Sequence, residues 1–296
     1  MMRAHYLFYS FTIALLFAAC GGGDQPVTQE LNVPALDSAD IIRSERTRSI
    51  FYNIPSPMET AGLLKSAGAV YDRDILNDVK NVDNYTAASK QALNLGIYGA
   101  DLSYASVYNN TQESMLYTSC AQKLAKKLDV TNAFNQAVVD RLEKNRNSRD
   151  SLLNIISETY WQVDAYLKEN GRDNISALMV AGGWVEGLYI ATQVAKQHNT
   201  PELRQRIAEQ RIPLDDLVGL VKTYGPDDPA IASALKDLER LQALFANVVT
   251  PSGNSTITQE DGVALIGGTA PPASLSDEQL SAITEATFAI RSSYIN

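Results

Sequence analysis

The sequence is poor in histidine, cysteine and tryptophan, with two of each in 296 residues. Only one histidine, His198, follows the N-terminal apolar run. A single imidazole excludes the HExxH motif and the usual two-histidine metal sites, and it confines Ser-His-Asp or Cys-His catalysis to His198. Its place before Asn199-Thr200-Pro201 predicts instead a helix C-cap. The chain also lacks the GxSxG, P-loop and GxGxxG motifs.

Cys20 follows the apolar run FTIALLFAA at residues 11–19 and precedes three glycines. The apolar segment, roughly residues 6–17, has signal-peptide length and is too short to span a bilayer. The segment LFAAC at residues 16–20 resembles the lipobox of bacterial lipoproteins. We therefore predict a signal peptide over residues 1–19 and a lipidated Cys20 at the start of the mature chain. The alternative is an ordinary signal peptide with a chance cysteine.

The lipobox implies both an anchor and a location. Lipid on the Cys20 sulfur and palmitate or a similar acyl group on its amine would together hold the protein stably on a membrane. Gly22 at the second position after the cysteine resembles outer-membrane signals, so we expect the domain to face the periplasm or the cell surface. Residues 20–39 are predicted to form a flexible tether, and residues 40–296 a helical domain.

The mature chain is acidic. Without Arg3, 24 basic residues face 34 acidic ones, which makes the net charge −10. This balance argues against nucleic-acid binding and against electrostatic docking on anionic lipid.

The cysteine count predicts a chain without disulfides. If lipid occupies Cys20, Cys120 has no intramolecular partner. Cys120 shares the row Leu116, Cys120, Leu124, Leu128, which predicts a buried thiol on one helix face; a reactive thiol is the alternative.

Helix signals recur from Ser56 to the C-terminus, whereas strand signals are scarce. The spacing of apolar residues and the residue types at helix ends predict two helices that begin at residues 56 and 200. The same signals predict helices over about 83–109, 113–128, 130–142, 152–171, 175–196, 214–225, 228–245 and 276–294. We predict an all-α protein, a single globular bundle of eight to ten helices. One small β-hairpin is predicted near 255–266, where Asp261-Gly262 is a turn signal.

Two segments are apolar on every face, which predicts central helices. Residues 93–107 carry one charge, Asp101, and residues 177–191 carry one, Glu186. Glycines at 96, 99, 182, 183 and 187 lower helix propensity, so they indicate close approach of another helix or of a ligand. Tight helix packing is the favoured interpretation.

The candidate site is the pair Asp101 and Glu186. A buried carboxylate must be paired, metal-bound or protonated. Converging carboxylates could bind a cation such as calcium or a polar small ligand, or act in acid/base chemistry. The surrounding aromatic candidates are Tyr98, Tyr104, Trp184 and Tyr189.

A structural role is the favoured interpretation of the two carboxylates. Each would then pair with an arginine or cap a backbone group, and the candidate partners are Arg43, Arg46 and Arg48. No resident metal or cofactor is expected on this interpretation.

Three segments carry a family resemblance: IPSPxE at residues 54–59, ALNLGxYGADLSYA at residues 92–105 and GGWxEGLY at residues 182–189. They resemble a family of uncharacterised helical lipoproteins of Gram-negative envelopes. The resemblance implies an all-α fold and an envelope location, and it supplies no catalytic residue.

The leading functional hypothesis is a non-enzymatic interaction or scaffold module that contacts another envelope protein. The alternative is a small-ligand or cation-binding lipoprotein that uses the Asp101/Glu186 region. An enzyme ranks third. Glycosidases need only carboxylates, but Trp161 and Trp184 are few tryptophans for a sugar-binding cleft.

Overall fold

The computed structural model describes residues 57–66, 68–132, 134–146, 148–224, 227–248, 256–260, 263–267 and 273–296. Cys20, the predicted signal peptide and tether, and the three arginines at 43, 46 and 48 lie outside the described residues. The predictions that concern them therefore stay predictions.

The fold is all-α, a packed multi-helix bundle, as predicted. The helices are α1 Pro57–Ser66, α2 Ala88–Val107, α3 Thr111–Lys127, α4 Gln136–Lys144, α5 Arg149–Glu169, α6 Asp173–Gln197, α7 Pro201–Glu209, α8 Arg211–Lys222, α9 Pro229–Phe245 and α10 Asp277–Ile295. A short 3-10 helix, Val79–Asp83, precedes α2. Strands β1 Thr256–Glu260 and β2 Val263–Gly267 pair antiparallel, with Ile257 opposite Ile266, where the hairpin is predicted.

One predicted helix, over residues 130–142, is wrong in its first half. The chain leaves α3 through Asp129, whose φ is 57°, and α4 begins only at Gln136, after the Asn135 side chain accepts from the Val138 N–H. Val130 and Phe134 are nevertheless buried. Their spacing of four therefore reflects burial in the core and not a continuous helix.

Helices α2 and α6 are the centre of the bundle and make its most extensive helix–helix contact. A Cβ atom on Gly96 of α2 would lie 2.0 Å from the Met179 carbonyl oxygen, and one on Gly182 of α6 would lie 2.0 Å from that of Leu93. These glycines let the two backbones touch, which confirms tight helix packing at these positions. A Cβ atom on Gly187 would meet nothing within 4 Å, so close packing does not explain why this helix position carries glycine.

Helix α10 closes the bundle against the start of α2. The Asn94 Nδ2 donates to the Tyr294 carbonyl oxygen at 2.9 Å, and the Lys90 Nζ donates to that of Ser293. Carbonyls at a helix C-terminus lack helical partners and favour a nearby cation. These contacts hold the C-terminal end of α10, just beyond Arg291, against the core.

Cys120 lies in the core, 5% exposed, and burial raises the pKa of its thiol to about 12. Leu124 and Leu128 of the predicted row are also buried, but Leu116 is 36% exposed, so the row does not extend to it.

Because the thiolate is the reactive form, we expect Cys120 to resist iodoacetamide at neutral pH in the folded protein and to react when urea unfolds it. Mass spectrometry with and without urea measures this, and rapid alkylation of folded protein would contradict it.

Candidate functional site

Asp101 and Glu186 meet in the core. Both side chains are 0% exposed, and the Asp101 carboxyl lies within hydrogen-bonding reach of the Glu186 carboxyl. Asp101 is on α2 and Glu186 on α6, close to the glycine contact that joins the two helices. The sequence therefore identified a pair that is adjacent in space.

The partner of Glu186 is Arg291 on α10. Its Nε donates to Oε2 at 2.9 Å and its Nη2 donates to Oε1 at 3.0 Å, a bidentate pair with both side chains buried. The same Nη2 donates to the Ile75 carbonyl oxygen at 3.3 Å. Burial opposes the charge of Arg291, but the neighbouring acidic groups, Glu186 foremost, together outweigh it and raise the pKa of the guanidinium above its usual value. Arg291 thus takes the role that sequence reasoning had considered for three arginines near the tether.

Asp101 has no cation of its own among the described residues. Its Oδ2 accepts from the Asn77 backbone N–H at 3.3 Å, and its Oδ1, if ionised, has no hydrogen-bond partner in this part of the chain. Burial, and then the neighbouring Glu186 carboxylate, raise the pKa of Asp101 well above its usual range. One guanidinium cannot neutralise two buried carboxylates, so the protonated form of Asp101, which can donate to Glu186, is favoured over the ionised form.

Of the predicted aromatic residues, Tyr98 and Tyr104 are fully buried but bind the backbone. The Tyr98 hydroxyl donates to the Asp78 carbonyl oxygen at 2.9 Å. The Tyr104 hydroxyl donates to that of Val70 at 3.2 Å. Both hydroxyls hydrogen-bond to the segment that precedes α2 and hold it against the core. They therefore do not donate to the two carboxylates.

Tyr189 is the predicted aromatic residue that packs on the ion pair. The Arg291 Cζ lies 4.5 Å from the centre of its ring, a cation–π contact that adds to the bidentate pair. Trp184 is buried, and its indole N–H has no hydrogen-bond partner among the described residues. The structure therefore brings Asp101, Glu186 and Tyr189 together.

Sequence reasoning missed Arg291 and Asn77. Arg291 occupies a buried position of α10 among Ile283, Thr287, Ile290 and Tyr294, and a lone arginine on an apolar helix face is a detectable signal. Asn77 precedes α2 in an irregular segment. Its side chain donates to Tyr85 Oη at 3.0 Å and to Asn94 Oδ1 at 3.3 Å, a set of contacts that no local pattern indicates.

The donor set at this site suits calcium poorly. Calcium takes six to eight oxygen ligands, whereas both Glu186 oxygens already accept from Arg291. Over the described ranges, no group of three histidine, cysteine or acidic residues could hold a metal ion.

Helix α6 is long and apolar enough to span a bilayer by length and composition. However, 89% of its apolar window is buried inside the protein, as expected for a core helix. Glu186 lies on this helix and finds its cation within the bundle.

Asp101→Asn is expected to stabilise the protein, and more so as the pH rises. The raised pKa means that the folded state binds an extra proton, so this contribution is complete below the ordinary carboxyl pKa and is lost as pH rises through the folded value. Asparagine is neutral at every pH and has the same shape. We expect a gain of about 1–3 kcal/mol that widens as the pH rises above the ordinary carboxyl pKa, measured by urea unfolding. The exposed Asp150→Asn is the control, and equal destabilisation by Asp101→Asn at every pH would contradict the assignment.

Comparison with known proteins adds no relative to this description. No protein-family model, curated protein or solved structure matches the chain. The resemblance to helical envelope lipoproteins therefore stays a prediction from the three sequence segments, and function is argued from the residues of this chain.

Proposed function

We propose that this chain is a lipid-anchored protein of the outer membrane that acts as a non-enzymatic interaction or scaffold module for another envelope protein. One observation carries the choice of module over enzyme or binding pocket: both carboxylates are fully buried, and Glu186 is paired with Arg291 in the core. Carboxylates used in this way join α2, α6 and α10, and both are fully buried, out of contact with a substrate in solution. Their role is then structural, and we place the functional contacts on the surface of the protein.

The anchor is supported by the sequence around Cys20. The apolar run, the two alanines before the cysteine and the glycines after it are the features that lipoprotein processing needs. A flexible tether of about 20 residues would let the helical domain reach a partner at some distance from the bilayer. An acidic chain has no electrostatic attraction to anionic lipid, so the lipid supplies the membrane affinity.

We expect Cys20→Ala to release the protein from membranes. Loss of the acyl chains removes the hydrophobic attachment, so the variant should move from the membrane pellet to the soluble fraction after carbonate washing. Cys120→Ala is the matched control, because that thiol is buried and should not affect partitioning. Equal retention of the Cys20→Ala variant and the native chain would exclude a lipid anchor.

Purification of the lipidated protein from its own membranes tests the interaction role. After affinity purification in gentle detergent, we expect one envelope protein to remain at constant stoichiometry through size exclusion. The Cys20→Ala variant distinguishes partners that bind the domain from those that merely share the membrane. A chain that is always alone after crosslinking in intact cells would overturn the scaffold proposal.

The alternative function, a small-ligand or cation-binding lipoprotein, has one observation in its favour. The Asp101 Oδ1 has no hydrogen-bond partner among the described residues when the carboxyl is ionised. A proton accounts for this oxygen without a ligand, so this function ranks second. A calcium-dependent rise in melting temperature that is lost in both Asp101→Asn and Glu186→Gln would reverse the ranking.

A further inference from the structure

The β1/β2 hairpin has no extensive contact with the helices that the structure describes. Among the described elements, the extensive contact that each strand makes is with the other strand. Two strands of five residues form the whole sheet, paired antiparallel from Thr256 opposite Gly267 to Glu260 opposite Val263. An isolated two-stranded hairpin is at best marginally stable in water, so a further strand would stabilise it.

The chain on both sides of the hairpin is fastened to the bundle. Before β1, the Val248 carbonyl oxygen accepts from the Arg211 Nη1 at 2.8 Å. After β2, the Leu275 carbonyl oxygen accepts from the Arg204 Nη1 at 3.1 Å. Val248 and Leu275 are both buried, and the two arginines lie on α8 and α7. The segment that carries the hairpin therefore leaves and rejoins the bundle at fixed points.

The outer edge of β2 is open to pairing, since among the described residues β1 is its one neighbouring strand. In an antiparallel pair, alternate residues of each strand direct their N–H and C=O groups away from the other strand. Proteins commonly block such edges with proline or with charged residues, especially lysine. The β2 sequence VALIG, residues 263–267, contains neither, whereas β1 ends in Glu260. Donors and acceptors in an extended row fit the backbone of another extended strand.

The charge of the hairpin segment favours a basic partner strand. Residues 249–275 contain two acidic residues, Glu260 and Asp261, and no basic residue. Glu260 stands opposite Val263, the first residue of β2, which places this charge at one end of the edge. The whole chain carries a net charge of −9, so long-range electrostatics repel a second copy and attract a basic segment.

We propose that the outer edge of β2 binds an extended segment of a partner protein, which adds as a third strand and carries a lysine or arginine beside Glu260. Backbone hydrogen bonds supply the affinity, and the acidic residues select the sign of the partner. The added strand also gives the hairpin the third strand that an independently stable sheet needs. This inference rests on the proposed interaction role and assigns a surface to it.

The test measures hydrogen exchange at single backbone amides of the ¹⁵N-labelled mature chain by NMR. The probe is the peptide acetyl-Lys-Val-Thr-Val-Thr-Lys-amide, titrated to millimolar concentration, whose valines and threonines favour a strand. We expect exchange at the outward amides of β2 to slow by about tenfold or more, and exchange at the outer edge of β1 to stay unchanged. Glu260→Gln should weaken binding by about threefold, whereas Glu143→Gln, at an exposed glutamate of α4, should leave it unchanged.

Modified peptides separate backbone pairing from other contacts. Two versions are methylated on the two alternate sets of backbone nitrogens, and only the set that faces β2 should abolish the protection. Replacing both lysines by glutamate should also abolish it if the acidic residues select the charge of the partner.

No slowing with the basic peptide, or equal slowing with both methylated peptides or with the glutamate peptide, would overturn the proposal. So would slowing that appears on raising protein concentration alone, because the added strand would then come from a second copy. A stable envelope partner that leaves the β2 amides unchanged would refute this edge and leave the interaction role standing.

Discussion

Arg291→Met is expected to lower the free energy of unfolding by about 3–5 kcal/mol, since it leaves a buried carboxylate without its cation. The Glu186 side chain is 0% exposed and would lose both guanidinium hydrogen bonds. Methionine keeps much of the arginine volume, so the loss reports charge and hydrogen bonding more than a cavity. Urea unfolding followed by circular dichroism measures the change.

A second substitution separates the charge from the packing. Glu186→Gln combined with Arg291→Met removes both charges, and we expect this double variant to recover a large part of the lost stability. The matched control is Arg240→Met on α9, an exposed arginine whose loss should cost about 0.5 kcal/mol or less. Native stability of the Arg291→Met variant would show that the ion pair does not hold α10 against the core.

Gly96→Ala and Gly182→Ala are each expected to destabilise the protein by about 3 kcal/mol. The new methyl group would lie 2.0 Å from a backbone carbonyl oxygen of the facing helix in both cases. A backbone atom cannot turn aside as a flexible side chain can, so α2 and α6 must separate. Because the Asp101/Glu186 contact joins the same two helices, separation also weakens the carboxylate site.

Gly187→Ala is the control on the same helix. A Cβ atom there would meet nothing within 4 Å, and alanine favours the helix by about 0.5–1 kcal/mol. We therefore expect opposite signs for Gly182→Ala and Gly187→Ala, measured as melting temperatures in one buffer. Destabilisation of similar size at both positions would indicate a general intolerance of α6 and not a specific backbone contact.

Together these contacts explain why the most polar part of the core supports a structural role. A ligand at Asp101 and Glu186 would have to displace Arg291 and to occupy space between helices whose glycines already touch. The bundle instead uses one bidentate ion pair, beside the buried Asp101 carboxyl, to define how α10 meets α2 and α6. This is why the proposed function uses the surface and the lipid anchor.

Much of the fold followed from local patterns. The proline at the start of α9, Asp228 as its N-cap and the capping box of Ser276 and Gln279 on α10 are short-range signals, and each begins a helix as expected. The helix predicted over 130–142 is wrong over residues 130–135, because buried residues in a turn can share helical spacing by chance. Local patterns indicate which residues are buried more reliably than they indicate the path of the backbone.

For the site, the sequence alone determined that Asp101 and Glu186 lie in apolar helices and must be neutralised, since burial of a lone charge is too costly. Only the tertiary structure decided how. Arg291 is 105 residues from Glu186, and no periodicity or capping signal says which helices become neighbours. That choice depends on shape, here on glycines that let α2 and α6 touch and on the contacts that hold α10 beside them, and shape is a property of the whole packed chain.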